Sequence, residues 1–295
     1  MHTTPPPGKV AESPDLIRFL YVTAYCWLLA MLAAVPSWAA DKPGGELVFG
    51  VYPYLSPSKT VEQFTPLTDY LSKTLGRPVT LRSAPNFASF IERTRAGEYD
   101  FIFTAPHMGR LAQVRDGYVP LAQTGNPFVF IIVVRKESPL KSVADLRDRA
   151  VAIGAKLSMT YQVTNHALAG AGLELGKNVK FVDTASFSNI IRAVLKGEAD
   201  AGAAPTSLLY SSEYAKEVER LREIYRSEPI PSFFLLSHPR LGTALHVQLR
   251  SALMAFHQSA TGRIYFGKTL QQDFRPLDAA TLKRLDPYTK VFNAP

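Results

Sequence analysis

The chain carries one cysteine, Cys26, among 295 residues. It lies inside an apolar stretch near the N-terminus, so the rest of the chain can form neither a disulfide framework nor a cysteine metal site. Catalytic motifs are missing as well: there is no Gly-x-Ser-x-Gly elbow, no glycine-rich phosphate loop and no His-Glu-x-x-His helix. His107, His166, His238, His246 and His257 show no close metal-ligand spacing. No run of Lys and Arg interleaved with aromatics marks a nucleic-acid surface. Nothing here calls for a catalytic residue, a metal, a cofactor or a nucleic-acid partner.

The N-terminus is unlike the rest. Lys9 and Arg18 precede an apolar run from Phe19 to Ala34, followed by Val35, Pro36 and the small residues Ser37 and Ala39. This is the layout of a secretory signal peptide, residues 1–39, cleaved near Ala39 so that Ala40 begins the mature chain. The rival is an uncleaved anchor, because the stretch from Phe19 to Ala40 approaches the roughly 20 residues that span a bilayer. Pro36 favours cleavage, since it breaks a helix where the peptidase needs extended chain. Cys26 reads as a hydrophobic residue of this run; Tyr25 before it is too large for a lipidation site.

Export would remove Lys9, Arg18, Glu12 and Asp15, leaving 31 basic against 23 acidic residues, still an excess of 8 positive charges. Such an excess suits an anionic ligand or surface.

From Glu46 onward, strands and helices alternate. Leu47 to Tyr52 reads as a buried strand, and Val61 to Leu75 as a helix with Val61, Phe64, Leu67, Leu71 and Leu75 on one face, closed by Gly76. Sequential strands joined by helical crossovers imply an α/β architecture with largely parallel sheets. The pattern also echoes itself. Phe87, Ile91, Gly97, Glu98 and Asp100 recur as Phe187, Ile191, Gly197, Glu198 and Asp200, and each copy leads to an Ala-Pro pair, Ala105-Pro106 and Ala204-Pro205. Two lobes of similar build are expected: 46–128 with 233–295, and 129–232. Phe128 to Val134 and Pro229 to Leu236 combine strand formers with nearby prolines and read as the two hinge strands between them.

In open α/β sheets a ligand sits beyond the carboxyl ends of the strands. That places Tyr52, Tyr54 and Ser56, then Thr104 to His107, then Ala155 to Tyr161, and Ala204 to Ser207 around the cleft. Ser158 and Thr160 stand where a second-lobe helix begins. Their hydroxyls could join the unpaired N–H groups of the first turn in holding an anion; alternatively, either could simply cap the helix. His107 is open between a donor to an oxyanion and a structural residue. The candidate ligand-binding residues are Tyr52, Thr104, His107, Ser158, Thr160 and Tyr161.

These residues are similar to a known family. Leu47-Val48-Phe49-Gly50-Val51, Phe64-Thr65-Pro66-Leu67-Thr68-Asp69-Tyr70-Leu71, Leu75-Gly76-Arg77-Pro78-Val79, Gly97-Glu98-Tyr99-Asp100, Val133-Val134-Arg135 with Ser138-Pro139, Ser142 to Leu146, Val151 to Gly154 and Pro229-Ile230-Pro231 occur in order from Leu47 to Phe256. In this the chain resembles the phosphate, phosphite and phosphonate substrate-binding proteins of ABC importers, a branch of the type II periplasmic binding proteins. The resemblance implies two α/β lobes that close on an oxyanion held by a Ser-Thr-Ser type loop. Ser158 and Thr160 match the outer residues of that loop, and Met159 replaces the middle threonine. Near Pro106 the family's tyrosine position is Gly109, and Pro205 stands where many members have an aspartate.

The implied function is periplasmic: a monomer that captures a small phosphonate- or phosphite-like anion and delivers it to an ABC permease in the inner membrane. An alternative is a ligand sensor serving a membrane sensor kinase. A hydrolase would need a nucleophile beside a base, and Ser158 with His107 is the one pairing on offer.

Overall fold

The computed structural model describes residues 45–184, 186–269 and 271–293. The apolar stretch with Cys26, and the cleavage expected after Ala39, lie outside them.

The β-branched and aromatic run after Glu46 forms β1, Leu47–Val51, and Pro57 in the first turn starts α1, Pro57–Leu75. Gly76 ends that helix at φ 65°, a left-handed conformation that glycine adopts without steric cost. Then come β2 (Val79–Arg82), α2 (Phe87–Arg95), β3 (Phe101–Thr104), α3 (Pro106–Asp116) and β4 (Val119–Thr124). The middle of the chain gives β5 (Phe130–Arg135), β6 (Ala150–Ile153), α4 (Met159–Gly170), β7 (Lys180–Asp183), α5 (Phe187–Lys196), β8 (Ala201–Pro205), the short α6 (Thr206–Leu209) and α7 (Ala215–Val218), and β9 (Leu221–Arg226). The last part supplies β10 (Phe234–Ser237), α8 (Gly242–Phe256), α9 (Ala260–Lys268), β11 (Phe274–Arg275) and α10 (Ala279–Lys283).

The strands make two sheets, β11-β4-β10-β3-β1-β2 and β7-β6-β8-β5-β9. In the first, β2 and β3 lie parallel to β1 while β10 runs antiparallel between β3 and β4. In the second, β7 and β8 lie parallel to β6 while β5 runs antiparallel between β8 and β9. The two share this core arrangement, and the first adds β11 at its edge, antiparallel to β4. In each sheet an antiparallel strand is inserted directly after a chain crossing, which is why the otherwise parallel βα pattern is interrupted at the same place twice. The crossings themselves pair: Phe128 and Ile230 exchange two backbone hydrogen bonds of 2.8 Å. They are shorter than the strand-forming runs suggested, because Phe130–Arg135 and Phe234–Ser237 are interior strands of the two sheets.

The sequence echo has a physical cause. Asp100 Oδ2 accepts the Val48 N–H at 2.7 Å, and Asp200 Oδ2 accepts the Ala150 N–H at 2.8 Å. Each aspartate thus satisfies the start of the strand beside it, from the turn where Gly97 (φ 69°) or Gly197 (φ 78°) ends the preceding helix. Gly50 answers a different demand. A Cβ there would lie 2.5 Å from the buried Tyr99 ring, so only glycine lets that ring close over β1. The first sheet's core is aromatic, with Phe49 stacked on Phe101 at 4.5 Å and Phe64 edge-on to Phe103 at 4.9 Å.

Candidate functional site

The carboxyl ends of β1 and β3 and the loop after β6 approach one another. Tyr52 follows β1 and is almost fully buried. Its ring stacks on Tyr54 at 4.8 Å and on Phe87 at 5.8 Å, and meets Phe233 of the return crossing at 5.8 Å. Phe128, on the outward crossing, packs edge-on against the same Phe233 at 4.9 Å. The Tyr54 hydroxyl accepts from Gln63 Nε2 of α1 at 2.9 Å, which fixes that ring. Burial raises the phenol pKa of both tyrosines, so both stay neutral hydroxyls.

Thr104 ends β3 and is wholly buried, with no hydrogen-bond partner for Oγ1 among the described residues. Ala105 and Pro106 then turn the chain into α3, whose second residue is His107. The His107 ring is also wholly buried, and Nε2 lies 3.0 Å from the carbonyl oxygen of Leu157 in the loop after β6. A carbonyl only accepts, so Nε2 carries the hydrogen. Nδ1 is then a bare acceptor, and it has no partner among the described residues. Burial lowers the imidazole pKa to about 4, partly countered by the Leu157 bond, so the ring is neutral at physiological pH.

In that loop Ser158 caps α4: its Oγ accepts the Tyr161 N–H at 3.1 Å. The hydroxyl proton remains free to donate elsewhere, so the cap does not remove Ser158 as a ligand. Thr160, half-buried in the first turn, has a hydroxyl with no partner among the described residues. The N–H groups of Met159 and Thr160 are ahead of any carbonyl the helix could offer them. Tyr161 turns its ring to Phe181 of β7, edge-on at 5.5 Å, which ties it to the second sheet.

Several contributors are not among the candidate ligand-binding residues. Met159 and Val163 of α4 belong to the same buried cluster as the aromatics of the first sheet, and Leu157 packs against it. The position that the resemblance matches to a threonine is therefore an apolar contact between the two sheets' loops. Gln162 Nε2 donates to the Lys156 carbonyl and braces the loop from behind. Phe292, close to the C-terminus, lies along the His107 ring at 5.6 Å and 27°. Leu157 and Met159 lie in the loop that the sequence places at the cleft, and Gln162 follows the cap by four residues; Phe292 has no local sequence signal. No group of three His, Cys, Asp or Glu side chains that could hold a metal occurs among the described residues.

Two sheets of one build, crossed twice by the chain and facing each other through loops at their carboxyl ends, define a type II periplasmic binding protein. Residues 49–282 match the family described as ABC transporter, phosphonate, periplasmic substrate-binding protein, and the chain belongs to that family. Its members are binding proteins of transporters, periplasmic by class, that take up a small ligand and meet a permease. Among solved structures it is similar to XAC2383 from Xanthomonas citri bound to chloride ion, with 22% identity and TM-score 0.74 over 83% of this chain and 96% of that one. PhnD1 from Prochlorococcus marinus in complex with methylphosphonate aligns with 18% identity and TM-score 0.71, over 85% of this chain and 99% of that one. The periplasmic aliphatic sulphonate binding protein SsuA from Escherichia coli follows the same path with 16% identity and TM-score 0.60, over 84% and 92%. Likeness at such identities speaks for the fold.

Proposed function

We propose that this protein captures a small phosphonate- or phosphite-like oxyanion in the periplasm and hands it to an ABC permease in the inner membrane. The lobes are 46–128 with 233–295, and 129–232; the mature monomer begins near Ala40 and uses no cofactor. The carrying observation is the meeting of α3 and α4 at their N-terminal ends, where His107 reaches the Leu157 carbonyl at 3.0 Å. Two helix N-termini present positive dipole ends and open N–H groups to one place, an arrangement that favours an anion without a charged side chain.

Tyr52, Thr104, Ser158 and Thr160 would supply hydroxyls, with Tyr161 fixing the helix that carries Thr160. None of them is charged at neutral pH, and neutral His107 would accept from a protonated ligand oxygen through Nδ1. Selectivity would then favour a singly protonated oxyanion, and the aromatic wall of Tyr52, Tyr54 and Phe233 would accommodate a small organic substituent. Calorimetric titration with methylphosphonate, phosphite, phosphate and methanesulfonate tests this reading. Saturable binding of methylphosphonate or phosphite is expected. Heat from none of the four would remove the oxyanion assignment.

A further inference from the structure

We propose that the C-terminal segment from Arg284 to Phe292 is a strap that fastens the two lobes in the closed arrangement and so sets how readily the cleft opens. Up to Leu285 this part of the chain is ordinary core: Leu282 and Leu285 are buried beside α3. Beyond it the chain buries little, yet it is attached at successive points to different parts of the molecule. Arg284 Nη2 donates to the Pro229 carbonyl on the return crossing at 2.6 Å. Asp286 takes Arg110 Nε of α3, in the first lobe, at 2.7 Å. Tyr288 meets the ring of His166 on α4, in the second lobe, at 5.4 Å and 71°. Phe292 then covers His107, the residue that itself bonds across to Leu157.

The turn Asp286–Tyr288 therefore grips one helix of each lobe within three residues. That is too short a tether to lengthen. If α3 and α4 separate as the cleft opens, the strap must let go of one of them. Partly exposed aromatic pairs and a charge-assisted bond are individually weak, so the strap biases the equilibrium without locking it. Its loss should raise the open-to-closed ratio by about tenfold.

The bias concerns the lobes themselves and can be read with no ligand present, which keeps it separate from the identity of the anion. Spin labels at Glu62→Cys on α1 and Arg192→Cys on α5, both exposed, report the distance between lobes by pulsed electron resonance in the full chain with Cys26→Ser. A chain ending at Leu285, and Tyr288→Ala in the whole chain, should both shift the distribution to longer distances. Tyr288→Phe keeps the ring and should leave it in place. Thermal unfolding of each variant shows whether it is folded; if the shortened chain is not, Tyr288→Ala alone decides. Distributions that coincide for Tyr288→Ala and the unaltered chain would overturn the strap, as would an unaltered chain that is already fully open.

Discussion

His107 Nε2 and the carbonyl oxygen of Leu157, 50 residues apart in sequence, stand 3.0 Å apart and join the N-terminal end of α3 to the loop that opens α4. The bond exists only when the imidazole is neutral at Nδ1 or carries the extra proton at a cost, because the ring is wholly buried. Stability should therefore depend on pH in part through this residue; burial and the neighbouring Arg240 also lower the pKa of His238, which adds to the slope in the same sense.

Unfolded histidine titrates at about 6.5, and burial depresses the folded value to about 4. Above the unfolded value neither state is protonated and nothing is lost. Between the two values the unfolded state binds a proton that the folded state refuses, so stability falls as pH falls, by about 1.4 kcal/mol per unit and about 3 kcal/mol in all. Below about 4 the loss levels off. Urea unfolding between pH 7.5 and 4 should show this slope, and His107→Gln, which keeps a donor for Leu157, should reduce it. Equal slopes for the two proteins would show that His107 does not titrate in this way.

Ser158 and Thr160 should separate stability from binding. Ser158→Ala removes the cap on Tyr161 and should cost about 1 kcal/mol of unfolding free energy. Thr160→Ala removes a hydroxyl that has no partner among the described residues; folding should barely change while the affinity for methylphosphonate or phosphite falls by roughly 1.5–3 kcal/mol. Denaturation without ligand and calorimetry with it measure both. A Thr160→Ala protein that binds as before would take Thr160 out of the site.

The paired aspartates should not be equal. Asp100 also receives Arg240 Nε at 3.0 Å and Nη2 at 2.8 Å, whereas the guanidinium beside Asp200 is Arg149 at 4.0 Å. Asp100→Ala leaves a strand N–H without its acceptor and removes two charge-assisted bonds from Arg240, which keeps only its bond to the Gly97 carbonyl, and should cost roughly 2–3 kcal/mol. Asp200→Ala loses mainly the Ala150 bond, about 1.5 kcal/mol. Chemical denaturation of both variants gives the comparison, and a larger loss at Asp200 would reverse the assignment.

Closure should be visible in solution. The crossings carry one bridged pair, Phe128 with Ile230, so rotation there disturbs few backbone bonds. Saturation with methylphosphonate or phosphite should reduce the radius of gyration in small-angle scattering relative to the ligand-free chain. An identical profile with either bound would mean that capture does not involve the hinge.

Much of this architecture was determined by the sequence itself, because its causes are local or repeated. Hydrophobic periodicity placed β1 and most of α1, although that helix starts at Pro57, four residues before Val61, and leaves Val61 exposed. The glycines at 97 and 197 mark left-handed helix ends wherever they occur, and the aspartates that follow them serve the same backbone group in both lobes. Those features depend on neighbours in sequence, or on a βαβ unit that any chain with this pattern builds. What only the tertiary structure decided depends on distant partners. That β10 and β5 insert antiparallel follows from where the chain re-enters each sheet, and no residue type encodes it. Ser158 reads the same whether or not it caps, since the acceptor's geometry settles that. His107 became a neutral, buried acceptor at Nδ1 because a carbonyl from the other lobe claimed Nε2. Met159 became an interlobe contact, and Phe292 a cover for His107, because folding brought the end of the chain across two helices far from it in sequence.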